Sequence, residues 1–316
     1  MRKLLNTLYV TTPEAYLSKD GLNAVISVKQ QEVFRISIVN IEHIVTFGYI
    51  GASPGLMKLC ADNGVSLTFL SPNGRFIGRF QGPVTGNVLL RTQQYRLASD
   101  NNYSLSIARI LIAAKINNHR QILLRHLRDY GNDTDIEKAE RKLKNCKGLA
   151  LTSASGQELR GHEGEAASTY FSVFSHLLRT SDPVFRFNGR NRRPPRDAVN
   201  CMLSYIYTLI ANNCTAALES VGLDPYVGMF HTLRPGRPSL ALDMMEEMRA
   251  YLGDRLVLTL INRRQVSGRN FISQGEDTVI TTDEGRKIIL QAWQQRKKET
   301  ITHPFLNEKI QIGLLP

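Results

Sequence analysis

No apolar run in the 316-residue sequence approaches the roughly 20 residues needed to cross a bilayer as a helix. The N-terminus also lacks the apolar core and small-residue cleavage site of a secretory signal. Cysteine is scarce: Cys60, Cys146, Cys201 and Cys214 stand far apart, and no close pair suggests structural zinc or a disulfide framework. These absences exclude a membrane-spanning or disulfide-stapled chain and lead to the expectation of a cytoplasmic protein with reduced thiols. Internal repeats and low-complexity segments are absent too. Acidic residues are in deficit, with 28 Asp and Glu against 40 Lys and Arg, for a formal charge of +12. Such an excess favours a polyanionic partner, and nucleic acid is the commonest one.

Two segments with different periodicity make up the chain. Residues 1–83 carry short runs of period two, such as VFRISI from Val33 to Ile38, separated by turn residues. Lys19-Asp20-Gly21 marks a hairpin, and Pro54 opens a short helix that Asp62-Asn63-Gly64 stops. Gln81-Gly82-Pro83 ends this region, and residues 84–91 read as a linker. From residue 92 to 316 the period changes to about 3.6. The longest helix, Tyr103 to Tyr130, is expected to bury Ile107, Ile110, Leu111, Ala114, Ile122, Leu123 and Leu127. Its polar side would then hold Lys115 and His119. The expected class is α+β: a small β-rich N-terminal domain followed by a larger, mainly helical one.

Candidate chemistry concentrates in DPYVGMFHTLRPGRPSLALDMMEEMRAYL, from Asp224 to Leu252. His231 leads through a Gly/Pro turn into a helix bearing Asp243, Glu246 and Glu247. Offsets of three and four set these carboxylates on neighbouring parts of one surface. Crowded carboxylates repel unless a base, water or metal relieves them. A divalent-metal site with His231 and a solvated acidic face are both consistent with the pattern. A further ligand could come from Glu163, which shares a helical face with Ala166, Ala167, Tyr170 and Phe174 on a helix starting near His162. Pairing of Glu163 with an arginine is the simpler alternative. Oxygen donors with one imidazole suit Mg²⁺ or Mn²⁺.

Basic loops accompany these acids. Arg186, Arg190, Arg192, Arg193 and Arg196 lie in SDPVFRFNGRNRRPPRD, and Asp197 is placed to cap the apolar helix that follows. Arg237, Arg263 and Arg264 add to the candidate DNA contacts. Guanidinium forks suit phosphate oxygens, and Phe185 and Phe187 are either base-stacking platforms or core residues.

Four stretches together, LRGHEGEAASTYF, NRRPPRDAVNCMLSYIYTLI, GLDPYVGMFHTLRPGRPSLALDMMEEMR and LINRRQVSGRNF, resemble the CRISPR-associated spacer-integration endonuclease family along essentially the whole chain. The resemblance implies a β-sandwich-like N-terminal domain that pairs subunits and a helical catalytic domain. It assigns metal binding to Glu163, His231 and Glu246 and a supporting acidic role to Asp243. Many relatives carry aspartate where Glu246 stands, a departure that lengthens one ligand without breaking the pattern. It further implies a homodimer, a small ferredoxin-like partner in a heterohexamer, and double-stranded DNA substrates, prespacer and CRISPR repeat. An additional prespacer-processing nuclease is a further candidate partner. The expected reaction is insertion of the prespacer through attack of its 3′-hydroxyls on repeat phosphodiesters. A general metal-dependent nuclease and a non-catalytic basic DNA scaffold are the alternatives.

Overall fold

The computed structural model of the chain describes residues 6–72, 74, 76–83, 88–275, 278–302 and 307–314. The period-two segments become β1 (Thr7–Val10), β2 (Ala15–Asp20), β3 (Asn23–Val28), β4 (Gln31–Ser37), β5 (His43–Phe47), β6 (Gly51–Ala52), β7 (Ser66–Leu70) and β8 (Phe76–Phe80). Two four-stranded sheets result, ordered β1-β5-β7-β8 and β4-β3-β2-β6. In the first, β1, β5 and β7 run parallel and β8 returns antiparallel. In the second, Asp20 pairs with Asn23, so Gly21-Leu22 is the turn of the expected hairpin. Gly21 takes the positive φ that a two-residue hairpin turn requires.

Leu17, Ala24 and Ile26 of one sheet meet Val10, Ile44 and Leu67 of the other in a single core. Leu56, Leu59 and Cys60 of α1 (Pro54–Asp62) join it. Ser53 caps α1, its Oγ accepting the Leu56 N–H at 3.2 Å. This is the expected β-sandwich.

The helical part comprises α2 (Val88–Ser99), α3 (Asn101–Tyr130), α4 (Thr134–Thr152), α5 (Gly156–Ser172), α6 (Ala198–Ser220), α7 (Ser239–Met248) and α8 (Arg255–Asn262). A hairpin of β9 (Phe271–Gln274) and β10 (Thr278–Thr281) precedes α9 (Asp283–Lys298), and β11 (Thr300–Thr302) pairs with β12 (Lys309–Gln311). Asp197 does cap α6, accepting the Asn200 N–H at 2.7 Å. α5 begins at Gly156, well before His162, because Ser155 Oγ accepts the Glu158 N–H at 3.2 Å and starts the helix there.

Two compact units emerge: Met1–Thr85 with Arg286–Leu315, and Gly86–Gly285. The stretch from Arg286 thus folds with the β-rich unit, whereas the sequence division assigns all of 92–316 to the helical one. Ile289, Leu290 and Trp293 of α9 are buried, Gln294 donates to the Thr7 carbonyl at 2.8 Å, and Lys297 donates to Thr7 Oγ1 at 3.1 Å. Of the expected linker 84–91, residues 84–87 lie outside the described residues.

The orientation of α3 also differs from expectation. Its buried stripe is Ser104, Ala108, Ile112, Lys115, Ile116, His119, Ile122 and Leu123, while Ile110 is 61% exposed. Apolar residues surround α3 on nearly every side, so periodicity alone leaves its rotation open. Packing of α4, α5 and α7 against α3 selects the stripe that carries Lys115 and His119.

Candidate active site

On α7, Asp243 and Glu246 sit one turn apart and both face inward, at 0% and 3% exposure, while Glu247 faces solvent. The solvated-face alternative therefore holds for Glu247 and fails for the other two. Asp243 organises the loop before the helix. Its Oδ2 accepts the backbone N–H groups of Met229 and Phe230 at 2.6 and 2.9 Å. Its Oδ1 accepts the His231 N–H at 2.9 Å and meets His231 Nδ1 at 2.6 Å. A carboxylate can only accept, so Nδ1 carries a proton, and in the neutral ring Nε2 then keeps the lone pair. Nε2 lies 3.8 Å from Glu246 Oε1. The loop approaches this closely because residue 228 is glycine. A Cβ there would stand 2.6 Å from Asp243 Oδ2 and 2.7 Å from the Ser239 carbonyl carbon.

Glu246 is held between two cations. Its Oε2 lies 2.7 Å from Lys115 Nζ, and its Oε1 lies 2.9 Å from Arg249 Nη2. Burial alone would raise the Glu246 carboxyl, but Lys115 and Arg249 outweigh it and hold the group down at about 2. Lys115 also pairs with Glu163 of α5. That glutamate is 24% exposed and forms the open edge of the cluster. The simpler alternative for Glu163 is half right: it pairs with a base, a lysine of α3 in place of an arginine. Glu163, His231, Asp243 and Glu246 thus come together from α5, the loop after α6, and α7. His162 stays with its own helix, 3.6 Å from Glu158.

Behind the acids lies a buried polar layer absent from the sequence reading. α7 continues into a π-helical turn, Arg249–Asp254, a feature frequent at functional sites. The turn brings Asp254 under Tyr207, whose hydroxyl donates to Oδ1 at 2.5 Å. Burial pushes the Asp254 carboxyl up to about 6, against the hydrogen bond from Tyr207 and the positive charge of Arg190 and Arg249. His119 stacks on Tyr170 at 4.1 Å between ring centroids and is pushed down to about 3, first by burial and then by Lys115. The signal for these residues is the i, i+4 pair of polar residues Lys115 and His119. It becomes readable once Ala108, Ile112 and Ile116 anchor the buried stripe.

The arginine loop splits into two kinds of residue. Arg190 turns inward, donating to Asn200 Oδ1 at 2.7 Å and Ser204 Oγ at 3.2 Å with its guanidinium 5.4 Å from the Tyr207 ring. Its interior bonds make it a brace for the loop. Arg186, Arg192, Arg193, Arg196, Arg263 and Arg264 are exposed, and Arg237 is half-buried. Phe185 and Phe187 are buried at 4% and 6%. Phe187 packs on Phe171 and Phe174, and Phe185 on Phe271, so both are core residues and the base-stacking alternative is overturned. A cavity of about 630 Å³ opens between α5 and this loop, with Ser168, Ser172, Asn188 and Arg192 on its walls.

Glu163 is joined to Glu246, and beyond it to His231, through Lys115. Among the described residues, only Asp133, Asp135 and His176 bring three ligating atoms within 4.8 Å of one another, on the surface. Local structure accounts for them. Asp133 caps α4 through the Asp135 and Ile136 N–H groups and pairs with His176 at 2.8 Å.

Comparison with known proteins bears on the family and the fold. The family described as CRISPR associated protein Cas1 matches residues 8–295. A CRISPR-associated endonuclease Cas1 from Chlorobaculum tepidum is 50% identical over 100% of this chain and 93% of its own. One from Rhodospirillum rubrum is 46% identical with the same coverage. A CRISPR-associated exonuclease Cas4/endonuclease Cas1 fusion from Geobacter sulfurreducens is 35% identical over 96% of this chain and 55% of its own length. Among solved structures, a CAS1 protein from Thermotoga maritima has a TM-score of 0.80 at 22% identity, covering 93% of this chain and 90% of that one. A casposase bound to integration product has a TM-score of 0.81 at 24% identity, covering 97% and 86%. A chain of a Cas6-RT-Cas1–Cas2 complex has a TM-score of 0.80 at 22% identity, covering 93% and 32%. At these identities the structural likeness speaks to the fold.

Proposed function

The chain belongs to the CRISPR associated protein Cas1 family, and from that premise we propose that it is a metal-dependent DNA endonuclease and integrase that inserts prespacer DNA into a CRISPR array. The observation that carries this reading is the meeting of Glu163, His231 and Glu246 from separate segments, with Asp243 holding the histidine. The donor set fits a divalent cation. Two carboxylates already converge on a positive charge, and the committed Nδ1 leaves His231 Nε2 free to coordinate. Glu163, His231 and Glu246 would hold Mg²⁺ or Mn²⁺, which when bound supplies charge neutralisation at the reacting phosphate and eases ionisation of the attacking hydroxyl.

The protein's own groups do the rest. Asp243 fixes the imidazole, and Arg249 balances Glu246 and keeps it ionised. Arg186, Arg192, Arg193, Arg196, Arg263 and Arg264, with Arg237, align DNA through phosphate contacts that net charge +12 favours. The prespacer 3′-oxygen forms a bond to a repeat phosphorus as the repeat's own P–O bond breaks, leaving a repeat 3′-hydroxyl. We place the reaction in the cytoplasm; no helix among the described residues is long and apolar enough to cross a membrane. A structural neighbour solved in a complex with Cas2 and a relative fused to Cas4 make a small partner protein and a processing nuclease reasonable companions. The homodimer and its heterohexamer with a small ferredoxin-like partner are our proposal.

Half-site integration into a supercoiled leader-repeat plasmid tests the proposal, with Mn²⁺ or Mg²⁺ and with or without the small partner. Joined products should form with the wild type and disappear in Glu163→Gln and His231→Ala, while folding and DNA binding persist. Cleaved DNA without joining would replace the integrase reading with a general nuclease. Salt-sensitive binding without any metal-dependent product would leave a DNA scaffold.

A further inference from the structure

Lys115 is the least expected member of the cluster: a lysine 3% exposed, on the buried stripe of α3, between two acids from other helices. Its ammonium pairs with Glu163 and lies 2.7 Å from Glu246 Oε2, and Arg249 takes the other Glu246 oxygen. Around Glu163 and Glu246 two bases face two acids, so these two carboxylates are already compensated, while Asp243 is engaged by His231 and three backbone N–H groups. An ammonium donates hydrogens and accepts none, so it cannot serve as a ligand. A divalent cation added on these oxygens would stand beside the nearly buried ammonium of Lys115 and be repelled by it. Cation and ammonium therefore compete for the same carboxylate oxygens.

We propose that Lys115 is the resident counter-cation of this site. It holds Glu163 and Glu246 in place in the metal-free protein and must release them before a divalent cation binds. The inference rests on the metal-binding reading above. A lysine stem is flexible, and the half-open Glu163 edge offers the ammonium a way toward solvent. There the phosphates of bound DNA would offer a new partner. Lys115 is thus a positioning residue that sets the metal affinity, with its charge as the adjustable element.

Mn²⁺ binding to the full-length protein, read by the electron paramagnetic resonance signal of free Mn²⁺, tests this. Lys115→Gln and Lys115→Met should each bind Mn²⁺ about tenfold more tightly or better, equivalent to about 1.4 kcal/mol. Both should melt below the wild type without metal and gain more than the wild type when Mn²⁺ is added. Folded variants with equal or weaker Mn²⁺ binding would overturn the inference. Should neither variant fold, amine labelling of wild-type Lys115, followed by mass spectrometry, decides. Labelling should rise at saturating Mn²⁺, and unchanged labelling refutes the displacement. A wild type that binds no Mn²⁺ would remove the metal reading itself and the inference with it. That result is distinguishable from a wild type that binds while its variants bind no better.

Discussion

Replacing Asp243 with asparagine probes the arrangement of the site most directly. Asp243 is fully buried and meets four donors: three successive backbone N–H groups, Met229 to His231, and His231 Nδ1. Asparagine retains one acceptor oxygen, so whichever way the amide is turned, two donors face an NH₂ group. Hydrogen bonds to a charged group contribute about 1.5–3 kcal/mol each. Two are lost, but the loop can relax partly into solvent, so a destabilisation of about 3 kcal/mol is expected. If the amide nitrogen faces His231, the imidazole must shift its proton to Nε2, where a ligand lone pair is needed. Loss of such an orienting partner typically lowers metal affinity or activity about 10- to 100-fold. Urea unfolding, Mn²⁺ binding and strand-transfer rate are the three readouts, and DNA binding should survive at temperatures where the variant is folded. An Asp243→Asn protein with wild-type stability and wild-type transfer would refute the role given to this carboxylate.

Two further predictions follow from the surrounding structure. Gly228→Ala should push the His231 loop off α7, lowering stability by about 1–3 kcal/mol and reducing strand transfer more than a comparable destabilisation elsewhere; an unchanged melting temperature would contradict the close approach. His119→Phe should keep the stack on Tyr170 and remove a titration. The His119 ring is held neutral down to about 3 against an ordinary value of 6.5, so the unfolded chain takes up its proton first. The associated stability is complete above pH 6.5 and is lost as pH falls toward about 3. The variant should therefore lose less stability over that window in denaturant titrations, and identical pH profiles for the two proteins would reject the assignment.

Much of this architecture was legible where local chemistry decides local geometry. The hairpin at Gly21, the cap at Asp197, the α1 start at Pro54 and the change of period all depend on residues close in sequence. His231, Asp243 and Glu246 share one stretch, so their proximity was readable too, whereas their inward orientation was not. An amphipathic segment declares that one face will be buried without naming what covers it. For that reason the sequence division left Trp293 with the helical domain, although it is buried within the β-rich unit. Phe187 and Arg190 likewise carried the chemistry of a nucleic-acid loop, yet Phe171 and Asn200 draw them inside.

The two kinds of secondary structure, the basic charge and the acids and histidine of the candidate site are all readable from residue order. Lys115 and His119 join that cluster through long-range packing alone. Their rotation inward is stabilised by partners from α5, α7 and the π-helical turn, and no short-range pattern on α3 records the arrival of those partners.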